Sequence, residues 1–123
     1  MELNILVNLL LRVHAQFRIC HWQTKSHARH LAFGGIYDSL DDLIDKFVEV
    51  SMGKYGRFEL SEDEKSIKIE NLSELDLNGL IKDFKSVLLK LTDTLNEKDT
   101  DLLNIKDEML AEINKLAYLL TLE

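Results

Sequence analysis

Residues 55–76 read YGRFELSEDEKSIKIENLSELD. This stretch decides the fold. Its apolar residues Phe58 and Leu60, then Ile67 and Ile69, alternate as extended chain does rather than recurring at helical spacing. Ser61 with Glu64 fits a capping box, so one short helical turn is expected inside it. On both sides the pattern changes to that of long helices. Upstream, Leu3, Leu6, Leu10, Val13, Phe17 and Cys20 recur at three and four residues, which predicts a helix over about 3–24. Phe33, Tyr37, Leu40, Ile44, Phe47 and Val48 predict a second over about 26–54, with Ser26 as N-cap and Gly53 and Gly56 as terminators. Downstream, Leu77, Ile81, Phe84, Leu88, Leu91 and Leu95 mark a third over about 77–96. Leu102, Ile105, Met109, Ile113, Leu116 and Leu120 mark a fourth over about 100–122.

The lengths of the links give the topology. Helices one and two are joined by a few residues, as are three and four, so each pair is an antiparallel hairpin. A helix of about 24 residues is ~36 Å long. The link over 55–76, about 20 residues, reaches ~65 Å when extended. It can therefore return along the whole bundle. The expected fold is all-α: a single domain over 1–123, a four-helix bundle with ferritin-like connectivity, its two hairpins joined by a long crossover.

Composition agrees. The chain has no proline and five glycines, where average usage would give about six prolines. Uninterrupted helices follow more easily than a turn-rich β fold. Hydrophobic residues at 46% and charged residues at 30% suit a folded globular chain. One cysteine, Cys20, excludes an internal disulfide and points to a reducing, cytoplasmic setting. No run approaches the roughly 20 apolar residues that span a bilayer, and the most apolar run, from Ile5 to Val13, is interrupted by Asn8 and Arg12. No secretory signal pattern opens the chain. The net charge of -7 disfavours DNA as a partner. That charge is unevenly spread. Residues 1–30 carry Arg12, Arg18, Lys25 and Arg29 against Glu2 alone, a balance of +3, which leaves -10 on the rest.

Candidate chemistry lies in two clusters. All four histidines, His14, His21, His27 and His30, fall in the basic segment. An acidic series, Asp38, Asp41, Asp42, Asp45 and Glu49, follows on helix two. Counting about 100° per residue from His30 puts Asp41, Asp45 and Glu49 roughly 20°, 60° and 100° round the helix. They thus track one edge of its buried face. Imidazole with carboxylate is a ligand set for iron, zinc or manganese. Asp45 and Glu49, one turn apart, can hold one ion together. No histidine follows a glutamate at three residues, which excludes a di-iron centre built inside one bundle from two such motifs.

The plainer roles are these. His14 is a packed residue beside the apolar stripe, and His27 faces solvent at a helix start. Trp22 packs in a core or an interface. Asp38, Asp41 and Asp42 form a solvated face. Cys20 is a small apolar filler. Gly34-Gly35 marks a bend, or a close approach of backbones at a two-fold interface.

His21-Trp22, His30 and Asp45-Lys-Phe-Val-Glu49 resemble the pattern of the Dps group, the miniature ferritins. Residues 101–122 also resemble that group's last helix. The resemblance implies a non-haem iron centre shared between two-fold mates. His21 and His30 would come from one chain, and Asp45 and Glu49 from the other. It further implies ferroxidase activity with oxygen or peroxide, and iron storage in a homo-oligomer, a dimer or a dodecamer. Two departures stand out. The family's aspartate one turn after the second histidine falls at Gly34, so Asp38 or Asp41 would have to reach in. The family's lysine-rich tail has no counterpart. The alternative expectation is a bundle without ferroxidase activity, acting as a metal-free or zinc-bound structural dimer.

Overall fold

The structure is a computed structural model and describes residues 2–122. Four α-helices form: α1 (Leu3–Gln23), α2 (His27–Tyr55), α3 (Leu77–Thr94) and α4 (Thr100–Leu119). Two single 3-10 turns, Glu62–Glu64 and Leu72–Glu74, punctuate the crossover. The expected helices are all present. α3 ends two residues early, where the Leu95 N–H closes on the Leu91 carbonyl and the chain turns extended. α4 stops at Leu119, and its last residues tighten into a turn in which the Thr121 and Leu122 N–H groups bond the Tyr118 and Leu119 carbonyls. Among the described residues no helix is long and apolar enough to cross a membrane.

The caps explain where helices start. The Ser26 hydroxyl accepts from the Arg29 N–H at the head of α2, and the Asp76 carboxylate accepts from the Gly79 N–H at the head of α3. Both satisfy a donor that the first helical turn leaves free. The capping box of Ser61 and Glu64 forms as the sequence expects. Hydrogen bonds from the Ser61 hydroxyl and backbone, and from Asn4, hold the Glu64 carboxyl below its ordinary range.

The apolar stripes meet in one core. Phe17, Phe33, Phe47 and Phe84 are fully buried, with Leu10, Leu40, Leu88, Leu102, Met109, Ile113 and Leu116 around them. Phe17 and Phe33 lie with ring centroids 6.3 Å apart. Cys20 is buried among them, and burial pushes its thiol pKa up, as suits an inert filler. α2 packs against α1 on one side and α4 on the other, and α3 packs against α4.

The crossover runs beside α1 and parallel to it. Asn8 donates to the carbonyls of Glu64 and Ser66 at 2.9 and 2.8 Å. Arg12 donates to the Lys68 carbonyl at 3.1 Å. Gln16 donates to the Glu70 carbonyl at 2.9 Å and accepts the Glu70 N–H at 2.8 Å. Gln23 accepts the Leu72 N–H at 2.7 Å. Partners advance together along both segments, so the chain returns from the end of α2 to the start of α3. α2 and α3 therefore run parallel, and the two hairpins connect as the link length requires.

Candidate functional site

The short turn after α1 brings its last turn against the first turn of α2. His21 and His30 meet there with their rings stacked, centroids 3.9 Å apart and planes 16° from parallel. Nδ1 of His21 lies 2.8 Å from the His30 carbonyl oxygen, and Nδ1 of His30 lies 2.9 Å from the His21 carbonyl oxygen. A carbonyl only accepts, so each Nδ1 carries the proton. The His21 carbonyl lies in the last turn of α1, where no further helical N–H can reach it. The His30 ring thus caps α1. In the neutral rings both Nε2 atoms keep a free lone pair. Neither is a buried nitrogen without a partner, a condition found among the described residues only at Nε2 of His14.

Gly34 completes this clasp. A Cβ there would lie 3.0 Å from Cε1 and 3.1 Å from Nδ1 of His21. Gly34 gives room to an imidazole, and α2 runs on through it without a break. No side chain reaches in from one turn further on either. Asp38 is exposed on α2, and Asp41 faces His14, with Oδ1 3.6 Å from Nε2.

His14 belongs to a second stack. Its ring lies on Tyr37 at 4.3 Å. The Arg18 guanidinium sits 4.4 Å from the Tyr37 centroid and 4.9 Å from that of Trp22, and donates to the Tyr37 hydroxyl. Trp22 is 62% exposed, so it is not core. Leu11 and Leu31 are also exposed, at 46% and 61%. His27 faces solvent as expected.

Asp45 and Glu49 stand exposed on α2. Asp45 is fifteen residues past His30, about 22 Å along the helix. One chain therefore does not bring these carboxylates to the histidines. Among the described residues no three histidine, cysteine or acidic side chains gather closely enough to hold a metal ion. A single chain offers the two imidazoles alone.

Sequence reasoning missed the buried charges at the other end of the bundle. Asp99, only 4% exposed, binds Lys54 Nζ at 2.5 Å and the Tyr55 hydroxyl at 2.6 Å. It also accepts the Asn96 N–H at 3.2 Å. Lys54 and then Tyr55 hold its carboxyl below the ordinary carboxylate range, and the same bond pushes the Tyr55 phenol up. This link stabilises the fold above the ordinary carboxylate pKa, and the stabilisation is lost as pH falls through the lowered value. Lys54 also binds Asp101 at 2.7 Å. Asp99 precedes α4 in a short loop, where no apolar periodicity could mark it.

Fold and site together define a small four-helix bundle with a histidine clasp at one end and an aromatic and basic face beside it. The chain belongs to the family of unknown function DUF5856, which its residues 21–120 match. It is also similar to an uncharacterized 14.6 kDa protein in the mobD-ri intergenic region of Enterobacteria phage T4, 47% identical over 51 residues. That match covers 42% of this chain and 40% of the phage protein, so the chain spans less than half the length of the relative it matches. No solved structure matches. The family match overturns the resemblance to the miniature ferritins: the family found is DUF5856, and nothing in the comparisons points to Dps. The physical reason is that the specific motifs of the resemblance are a handful of positions, almost all within 21–49. Its missing ligand is a glycine that the His21 ring requires.

Proposed function

We propose that two copies of this chain pair through the outer face of the α1–α2 hairpin and together hold a divalent first-row metal. His21 and His30 of one copy and Asp45 and Glu49 of the other are the ligands. The observation that carries this reading is the clasp. Metal-binding histidines characteristically donate their second ring N–H to a carbonyl or carboxylate, which fixes the tautomer and the ring. Both histidines do so here, reciprocally. Two imidazoles leave a site half-built. The donors that would complete it are two exposed carboxylates one turn apart on the same hairpin. An antiparallel pairing whose two-fold axis passes midway between His30 and Asp45 would bring both pairs together twice. Exposed Leu11, Trp22 and Leu31 supply apolar contact, and Arg18, Lys25 and Arg29 oppose the acidic part of α2.

Ferrous iron is the proposed occupant, with oxidation by oxygen or peroxide as the activity; zinc or manganese suits the same donors. A free, buried Cys20 fits a reducing cytoplasm. The net charge of -7 disfavours DNA as a partner.

Mixing two defective variants tests the shared site. Asp45→Ala with Glu49→Ala changes exposed residues and should remain folded and dimeric while losing iron binding. His21→Gln with His30→Gln should lose it too. Mixed and allowed to exchange, the two should regain about a quarter of the wild-type sites, because half the dimers are then mixed and each of those holds one complete ligand set of two. If the mixture stays inactive, or the Asp45/Glu49 variant binds iron as tightly as wild type, the assignment is wrong. A metal-free wild-type dimer that ignores added iron and zinc would establish the structural alternative.

A further inference from the structure

The crossover rests one edge of its backbone on α1 and leaves the other edge free. Residues 66–70 read SIKIE, the alternation of extended chain. The carbonyls of Ser66, Lys68 and Glu70 accept from side chains of α1, and the Glu70 N–H donates to Gln16. In extended chain the N–H and carbonyl of one residue point to the same side, and those of the next residue to the opposite side. The backbone groups of Ile67 and Ile69 therefore point away from α1. Among the described residues they have no hydrogen-bond partner. Asn71, also extended at φ -64° and ψ 145°, continues the series. Residues 65–69 are exposed throughout, with Ile67 at 39% and Ile69 at 45%.

We infer that this edge pairs antiparallel with the same edge of a second copy, about a two-fold axis at Ile69. An unpaired row of N–H and carbonyl groups is a template for strand addition. In that pairing Ile69 exchanges two backbone bonds with Ile69 of the second copy. On either side of the axis the Asn71 N–H meets the Ile67 carbonyl of the other copy. The ladder ends there, because the Asn71 carbonyl already accepts the Glu74 N–H. Charge selects both the occupant and the register. A lysine on an edge ordinarily blunts it. With the axis at Ile69, Lys68 of each copy stands opposite Glu70 of the other, a favourable cross-strand pair. With the axis one residue earlier, the two Lys68 side chains would meet and repel. Lys68 and Glu70 share one face of the single chain, Nζ 3.6 Å from Oε1, so the four groups alternate in sign round the axis. The isoleucines line the other face, where Ile69 meets its own copy. α1 covers only the closed side of the strand, and the second bundle approaches over the bare one. This contact is separate from the pairing proposed for the α1–α2 hairpin. Asn8, Arg12 and Gln16, which seat the crossover, lie roughly a third of a turn round α1 from Leu11, His14 and Arg18. Both faces can therefore be occupied at once.

Single cysteines placed on the exposed edge read the register, with oxidised glutathione as the oxidant. Cys20 is fully buried and does not compete. Ile69→Cys puts a thiol on the axis, where the Cα atoms of a hydrogen-bonded antiparallel pair lie about 5.5 Å apart, within disulfide reach. Ile67→Cys leaves every charge in place but sets its two thiols four residues apart along the ladder, roughly 13 Å. The Ile69 variant should form cross-linked dimers at least about tenfold faster than the Ile67 variant. Adding Lys68→Glu to the Ile69 variant should remove that advantage, because like charges then face each other. Adding Glu70→Lys as well should restore it. Equal rates for the two cysteine variants would overturn the inference, since a lysine-centred register or random collision treats both alike. Undiminished cross-linking after Lys68→Glu would overturn it too. Slow cross-linking of both would leave the edge to a different chain and exclude a second copy. The assay uses no metal and reads a face away from the α1–α2 hairpin, so its failure leaves the shared metal site standing.

Discussion

Gly34 shows how much one missing methyl group can decide. Inside a helix, glycine costs about 1 kcal/mol relative to alanine. Gly53, also in α2, has nothing within 4 Å of where a Cβ would sit. Gly53→Ala should therefore raise stability by up to about 1 kcal/mol. Gly34→Ala gains the same propensity but drives a methyl against the His21 ring, which is fixed by the His30 carbonyl and stacked on the His30 ring. That ring must give by a few tenths of an ångström, against the bond and the stacking that hold it. Gly34→Ala is expected to come out at least about 1 kcal/mol less stable than Gly53→Ala in urea unfolding. Combining it with His21→Ala should recover the helix-propensity gain relative to His21→Ala alone. Equal stability of the two single glycine variants would show that the ring moves freely. The sequence made His21 and His30 neighbours, because a turn of a few residues must bring them together. It could not show their mutual capping, which depends on a carbonyl orphaned at a helix end. The separation of Asp45 and Glu49 from the histidines of their own chain was legible too, since it follows from the helical rise once the second helix is drawn.

At the scale of elements, α1 does two jobs at once. Its apolar stripe faces the core, while Asn8, Arg12 and Gln16, each one turn apart, hold the backbone of the crossover. In the sequence Asn8 and Arg12 read as interruptions of an apolar run. Helix positions and the reach of the crossover were legible because hydrophobic periodicity and chain length control them. The seat of the crossover was not, because side chain to backbone bonds leave no periodic apolar signal. Gln16 is the centre of this ladder. It is 1% exposed and meets both the N–H and the carbonyl of Glu70, as a neighbouring strand would. Gln16→Leu keeps the volume but leaves both backbone groups without their partner. It should cost about 1–3 kcal/mol. Hydrogen exchange should localise the loss: the amides of Glu70 and Leu72 exchange faster, while those of α2 and α4 keep their protection. Uniform loss of protection over all four helices would mean that the crossover does not open as a separate unit.

At the scale of the whole molecule, the uneven charge becomes a constraint on assembly. The basic segment ends in the histidine turn, and the acidic series occupies the middle of α2. A two-fold pairing that places His21 and His30 over the partner's Asp45 and Glu49 fixes the register, because both copies obey the same rule. The axis then crosses α2 midway between residue 30 and residues 45–49, close to Asp38. In that pairing Arg18, Lys25 and Arg29 would lie toward carboxylates of the other copy, an arrangement that salt weakens. Arg18 also braces the exposed Trp22 against Tyr37, so it contributes to both the charge and the shape of this face. Asp38 is the exception. Exposed, and nearest the axis of that pairing, it would face its own copy and repel it. Two substitutions that each remove charge from one face should therefore act in opposite directions. Arg18→Gln should raise the dimer dissociation constant at least about tenfold, and Asp38→Asn should lower it. Sedimentation equilibrium measures both. Changing the salt from about 0.05 M to about 0.5 M should weaken the wild-type dimer and shrink the difference between it and the Asp38 variant, since Asp38 acts by repulsion alone. A register displaced along α2 would move the axis off Asp38. The Asp38 variant would then weaken pairing or leave it unchanged, and the shared metal site, which needs the same register, would fall with it.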